Sequence, residues 1–237
     1  MEKREDGGSV PVVVRSSDST PLALWRSGSG PALLVVHGTA ADHSAWDAVV
    51  PLLEDAFTVY RMDRRGRGAS GDGVDYSWQQ EVDDVLAAVR ALPAPVYLYG
   101  HSFGGAVALE AVRQLPDLAG LVLYEGGLRP PARFMPDERI EALERMIADG
   151  QREEMLSQFM LTQAGVSEDE LAIMKASSAW PGRVAAAHTI PRELRAVRGG
   201  QSVEFPPRRR KACRFSSSSD HRVAACAIKC FRCTARW

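Results

Sequence analysis

The chain has 237 residues, 45% of them hydrophobic and 25% charged, with a formal net charge of −1, a composition that suits one globular domain with a substantial core and room for a small insertion. No apolar run approaches the roughly 20 residues that span a bilayer, and residues 1–6 lack the apolar centre of a secretory signal, so the expectation is a cytoplasmic protein with no membrane partner. The small net charge hides a division: from Gly199 onward nine Lys and Arg face two Asp and Glu, against 20 and 28 before it, and all four cysteines (Cys213, Cys226, Cys230, Cys233) fall in that last stretch. A body without cysteine argues against a disulfide framework.

Residues 10–15 and 22–26 predict two short strands joined by the turn-rich Ser16-Ser17-Asp18-Ser19-Thr20-Pro21, an opening hairpin. A buried parallel sheet is expected to follow. Residues 32–36, 57–62, 96–99 and 121–124 are short apolar, β-branched or aromatic runs, each ending at a polar or glycine-rich loop. Between the fourth and fifth strands, Ser77 with Gln80 has the capping-box signature, and Val82, Val85, Leu86, Val89 and Leu92 repeat at helical spacing until Pro93. Strand and helix alternate as βαβ units require. After Tyr124 the text turns Pro-rich and then helical: Ile140, Leu143, Met146 and Ile147 share a face, followed by Met155, Leu156, Phe159 and Met160 and by residues 167–174. No strand-like run interrupts this segment up to Val197. It is expected either as a lid at the carboxyl side of the sheet or as a subdomain completing the core. The expected division is a core at 1–127, a helical cap or lid at 128–198, and an atypical basic, Cys/Ser-rich tail at 199–237.

The stretch that carries chemistry is Gly100-His101-Ser102-Phe103-Gly104-Gly105, directly after the apolar run Val96-Tyr97-Leu98-Tyr99 and before an Ala/Val-rich helical pattern. A serine between a strand and a helix is held on a strained turn, and the glycines two residues either side remove the Cβ atoms that would block that turn. Its hydroxyl then stands at the carboxyl edge of the sheet. A serine hydroxyl is a poor nucleophile until a histidine takes its proton and a carboxylate orients that histidine.

Two further motifs precede it in order: His37-Gly38-Thr39 after the third strand, and Asp63-Arg64-Arg65-Gly66-Arg67-Gly68-Ala69-Ser70 after the fourth. Over about residues 9–198 the three together resemble the α/β-hydrolase superfamily, whose pattern HG-x, D-x-R-G-x-G-x-S and G-x-S-x-G is matched at every position. The resemblance implies an α/β fold with a mostly parallel sheet and a helical cap insertion, and a serine hydrolase that needs neither a metal nor an organic cofactor. The N–H groups of Thr39 and Phe103 are the expected oxyanion-hole donors, the second favoured by the helix N-terminus. His37 is expected to orient its loop, His101 to face away from the nucleophile, and His43 to be an exposed loop residue. The 63–70 loop reads as structural, with Asp63 and Ser70 satisfying backbone donors.

In the resembled family the acid follows the sixth or seventh strand and the histidine follows the eighth. The last two strands are missing here: only residues 223–228 are weakly strand-like, within a basic, serine-rich stretch too polar to order itself. A reading-frame shift near codon 199 and a divergent tail both account for this. Without those strands the sixth becomes an open edge, and aggregation is expected. Glu125, just after the sixth strand, is the candidate acid, and His188, within the helical segment, the candidate base. Cys226, Cys230 and Cys233, with Cys213 or His221, loosely resemble zinc ligands but match no common spacing, so no metal is expected. The basic run 206–211 reads as solvated charge, with no nucleic-acid partner. The expected function is hydrolysis of an ester or related acyl bond of a small, fairly apolar molecule through an acyl-enzyme on Ser102. The rival is a catalytically inactive truncated or degenerate member of the same fold.

Overall fold

The structure, a computed structural model, describes residues 10–126 and 135–199. The four cysteines, the basic run 206–211 and the weak strand 223–228 lie outside the described residues. The opening hairpin forms from β1 (Val12–Arg15) and β2 (Pro21–Gly28), the second longer than its apolar run suggests. Four strands follow: β3 (Ala32–Val36), β4 (Thr58–Met62), β5 (Val96–His101) and β6 (Gly120–Tyr124). They join the hairpin in one sheet of order β1-β2-β4-β3-β5-β6. The hairpin strands pair antiparallel and the other four are mutually parallel.

Period-two alternation divides the core between two faces of this sheet. Leu34 and Val36 of β3 face helices α1 (Trp78–Ala91) and α2 (Ser102–Ala111), packing with Val82, Val85, Val107 and Ala108. Leu33 and Val35 point the other way, onto Trp46, Val50, Leu53 and Phe57 of the β3–β4 connection. Ser77 caps α1 by accepting the Gln80 N–H at 3.2 Å and donates its hydroxyl to Gln80 Oε1 at 3.1 Å, while Gln80 Nε2 donates to Asp18 at 3.2 Å. The expected capping box is therefore half formed, because Gln80 Oε1 takes the Ser77 hydroxyl instead of the Ser77 backbone N–H.

Beyond β6 come α3 (Asp137–Ala148), α4 (Arg152–Phe159), α5 (Glu168–Lys175), α6 (Trp180–Ala186) and α7 (Ile190–Gly199). The apolar faces read from the sequence meet in a second core of Ile140, Leu143, Met155, Leu156, Phe159 and Met160, closed by Trp180, Ile190 and Ala40 of the loop after β3. Helix α7 bridges the two cores, Leu194 in one and Ala196 and Val197 against the other. Among the described residues no strand follows β6, which stands at the sheet edge with its apolar side chains half-buried.

Candidate active site

Strand register brings the site together. Val36 pairs with Gly100 and His101 with Tyr124, so Gly38 and Glu125 arrive on either side of Ser102. A Cβ built on Gly38 would lie 3.0 Å from the Ser102 Cβ. Ser102 opens α2 with φ of +50°, a left-handed conformation that disfavours a residue with a Cβ by roughly 1–2 kcal/mol. Close packing enforces it. A Cβ on Gly104 would sit 2.3 Å from the His37 carbonyl oxygen, and one on Gly100 2.6 Å from Gly105 Cα, so strand and helix meet here only through glycine.

Ser102, Thr39 and Phe103 share a cavity of about 650 Å³ between the sheet edge and helices α4–α7, walled largely by apolar side chains including Met135, Phe159, Met160, Leu194 and Val197. The Gly38 carbonyl accepts from His37 Nδ1 at 2.8 Å and from Arg64 Nη1 at 3.2 Å, while His37 Nε2 accepts the Arg64 N–H at 3.2 Å. That pair of bonds fixes the tautomer with its proton on Nδ1. Burial first, and then the Arg64 charge, push the His37 imidazole down to about 3 and keep it neutral. Because a trans peptide sets C=O and N–H on opposite sides, anchoring the Gly38 carbonyl from behind turns the Thr39 N–H the other way. The Phe103 N–H lies in the first turn of α2, where no preceding carbonyl competes for it and the helix dipole favours an anion.

Behind this loop the Asp63–Ser70 segment is a dense polar anchor. Asp63 accepts from the backbone of His43 and Ala69 at 2.8 and 3.0 Å and from Trp25 Nε1 at 2.8 Å. Ser70 Oγ donates to the Asp63 carbonyl and accepts from Ala23. Arg64, Arg65 and Arg67 are fully buried. Arg64 grips Glu81 at 2.6 and 2.9 Å, stacks 4.4 Å from the centre of the Phe103 ring and reaches Glu193 of α7 at 2.8 Å. Arg67 joins the same two carboxylates, and Tyr76 donates to Glu81 at 2.8 Å. Burial opposes the Glu81 charge, but the two guanidinium groups override it and hold the carboxyl down to about 2.

Of the sequence candidates, Glu125 does line the cavity, at a φ of +52°, yet its side chain is 68% exposed and its Oε2 lies 3.7 Å from His101 Nε2. His188 is not brought to the cavity wall; its Nδ1 bonds the Ala185 carbonyl at 2.8 Å, one turn back in its own helical segment. Two expectations are corrected. His101 does not face away but lines the same cavity, between Trp46 and Tyr124, because the β5 strand ends at His101 and its ring turns toward the β6 edge. Burial, aided by the Arg183 charge and opposed by Glu125, lowers its basicity. His43 is not an exposed loop residue: it stacks on Trp25 at 4.3 Å and bonds Asp63 at 2.8 Å through Nδ1. Burial alone would push His43 down, but the hydrogen bond and charge of Asp63 raise it. The four described histidines thus take partners other than Ser102. Sequence reasoning missed Arg183 and Glu193 on the cavity wall, since nothing in a helical pattern tells which polar side chain turns inward. Among the described residues no cluster of three metal-ligating side chains exists, and no helix is long and apolar enough to cross a membrane.

Comparison with known proteins agrees with this fold. An alpha/beta hydrolase from Sphaerobacter thermophilus superposes with a TM-score of 0.70 and 32% identity, covering 81% of this chain and 75% of that one. Pimeloyl-[acyl-carrier protein] methyl ester esterase of Methylococcus capsulatus is 39% identical over 106 residues, 44% of this chain and 41% of the esterase. The 2-(acetamidomethylene)succinate hydrolase of Mesorhizobium japonicum is 29% identical over 131 residues, 54% of this chain and 46% of that enzyme. The chain spans less than half the length of these two curated relatives. A family model described as the alpha/beta hydrolase family matches residues 33–224, from the strand before the His37 loop through every element that frames Ser102, and on that match the chain belongs to the alpha/beta hydrolase family.

Proposed function

We propose that the chain is a serine hydrolase that cleaves an ester or related acyl bond of a small molecule through an acyl-enzyme on Ser102. The observation that carries this reading is Ser102 held in a left-handed turn at the head of α2, opening into an apolar cavity beside Thr39 and Phe103. In this reading Ser102 Oγ attacks the acyl carbon and its proton passes to a base. The oxyanion then forms between the Thr39 and Phe103 amides, donors that typically lower such a barrier by about 3–4 kcal/mol each. The leaving alcohol takes a proton, and water releases the acid in a second, mirrored step. Helices α3–α7 act as the cap that excludes bulk water. The methyl ester esterase and the succinate-derivative hydrolase among the relatives support acyl substrates.

A second reading is favoured by one specific observation, the absence of a histidine against Ser102 among the described residues: a catalytically inactive member of the same fold. A fluorophosphonate probe separates the two. Labelling of the full chain that disappears in Ser102→Ala, together with turnover of a p-nitrophenyl ester, is the expected outcome. Absence of both labelling and turnover favours the inactive reading.

A further inference from the structure

Among the described residues, arginines withdrawn from solvent hold carboxylates: Arg64 and Arg67 share Glu81 and Glu193, and Arg65 has Asp84 at 2.6 Å and Asp18 at 2.9 Å. Arg183 of α6 departs from this rule. It lines the cavity that Ser102 opens into, its exposure is intermediate, and its only hydrogen bond among the described residues runs from Nη1 to the Ala40 carbonyl at 3.2 Å. No carboxylate oxygen comes within ion-pair distance of it among the described residues; Asp42 acts on it only through space and spends its own Oδ1 on Ser44. A half-buried guanidinium with one neutral acceptor among the described residues has donors to spare for a ligand in the cavity it lines. Four of its five N–H donors have no protein partner among the described residues, and its planar fork matches a carboxylate.

Position says what would complete it. Ala40 immediately follows Thr39, so Arg183 is tethered one residue from the amide expected to face the oxyanion. The other acidic groups on the wall do not compete for the role: Glu193 is bound to Arg64 and Arg67, and Glu125 is mostly in solvent. The rest of the wall is largely apolar, which suits a hydrocarbon spacer.

We propose that Arg183 is a specificity-determining residue that binds a carboxylate carried by the acyl substrate, so that the preferred substrates are half-esters of short dicarboxylic acids rather than neutral esters. This rests on the serine-hydrolase reading for its catalytic part but not for its binding part. Two measurements therefore run side by side. In the first, kcat/KM for the p-nitrophenyl half-ester of glutaric acid and for neutral p-nitrophenyl butyrate is compared in wild type and Arg183→Gln. The expected result is wild-type preference for the half-ester and a drop of roughly 10- to 100-fold in the variant, confined to that substrate, with partial recovery in Arg183→Lys. An equal loss on both esters, or no wild-type preference, overturns the proposal and leaves Arg183 as a tie between α6 and the Ala40 turn. In the second, glutarate binding is measured by calorimetry on the full chain. Binding that is lost in Arg183→Gln, even in a protein that turns over neither ester, would sink the serine-hydrolase reading alone. No glutarate binding by wild type overturns the Arg183 proposal even if neutral esters are cleaved.

Discussion

Replacing Gly104 by alanine sets two effects of opposite sign against each other. Inside a helix, alanine is favoured over glycine by about 0.5–1 kcal/mol, because glycine loses more backbone entropy on folding. The new Cβ, however, would lie 2.3 Å from the His37 oxygen and 2.6 Å from the Val36 oxygen. Both are backbone atoms at the end of β3, a strand buried along its whole length, and neither can rotate aside as a flexible side chain would. Restoring ordinary contact, 3.4 Å or more, separates α2 from β3 by about 1 Å against a close-packed interior. Overpacking of this kind costs about 1–3 kcal/mol, the upper end applying where backbone must move, so a net loss of about 2 kcal/mol is expected. For a chain of this size that lowers Tm by about 4–8 °C. The same shift carries Ser102 and the Phe103 amide together away from the Thr39 loop that follows β3, and a misplacement near 1 Å is expected to slow fluorophosphonate labelling about 100-fold. Thermal melts followed by circular dichroism, with labelling time courses on the same samples, provide the check. A Gly104→Ala protein that melts at or above wild type would show that helix propensity outweighs the contact and that the elbow is not held by this packing.

Three further outcomes are expected. Ser102→Gly and Ser102→Ala both lack the hydroxyl, but only glycine relaxes at a φ of +50°, so the glycine variant should be more stable by about 1 kcal/mol in urea unfolding; equal midpoints would mean that the turn is not strained. Glu81→Gln leaves Arg64 and Arg67 with Glu193 as their remaining carboxylate and should cost about 3–5 kcal/mol, and a change below 1 kcal/mol would contradict the buried-network picture. The His43–Asp63 pair predicts a pH dependence whose sign follows from the raised imidazole. Its contribution is complete below the ordinary 6.5, where the ring is charged in both states, and is lost as pH rises past 6.5 through the higher folded value. Wild type should therefore lose Tm across that window more steeply than His43→Asn, and parallel profiles would remove the pair as the cause.

What could be read from the sequence was whatever depends on local spacing. The elbow around Ser102 was legible because a β-branched run, a Gly-x-Ser-x-Gly turn and an Ala/Val helix each carry their own periodicity, and β5 and α2 lie where those periods place them. The helical segment after β6 was legible for the same reason, its apolar stripes meeting in one core. Arg64, Arg65 and Arg67 show the limit. The 63–70 loop reads as structural, but nothing in three arginines within four residues tells that all three are buried, because their partners are set by tertiary packing: Glu81 and Asp84 sit on α1 at positions that resemble a polar helix face, and Glu193 lies 126 residues from Arg67. His101 was misread because the direction of a side chain at a strand end depends on which strand lies next to it. Arg183 carried no signal at all, being one arginine among many on a helix.

The carboxylate that α7 contributes to the arginines of the β4 loop has an evolutionary consequence. Cap segments are often pictured as interchangeable modules set upon a constant core. Here the graft would not be neutral: Glu193 closes the charge balance around Arg64, and Arg64 in turn holds the Gly38 carbonyl that aims the Thr39 amide. A lineage that exchanged this helical segment for another would leave Arg64 and Arg67 with Glu81 alone, one positive charge uncompensated beneath the His37 loop, unless the newcomer brought an acid to the same point, so the history of the segment and the history of the core's own wiring are constrained to be written together.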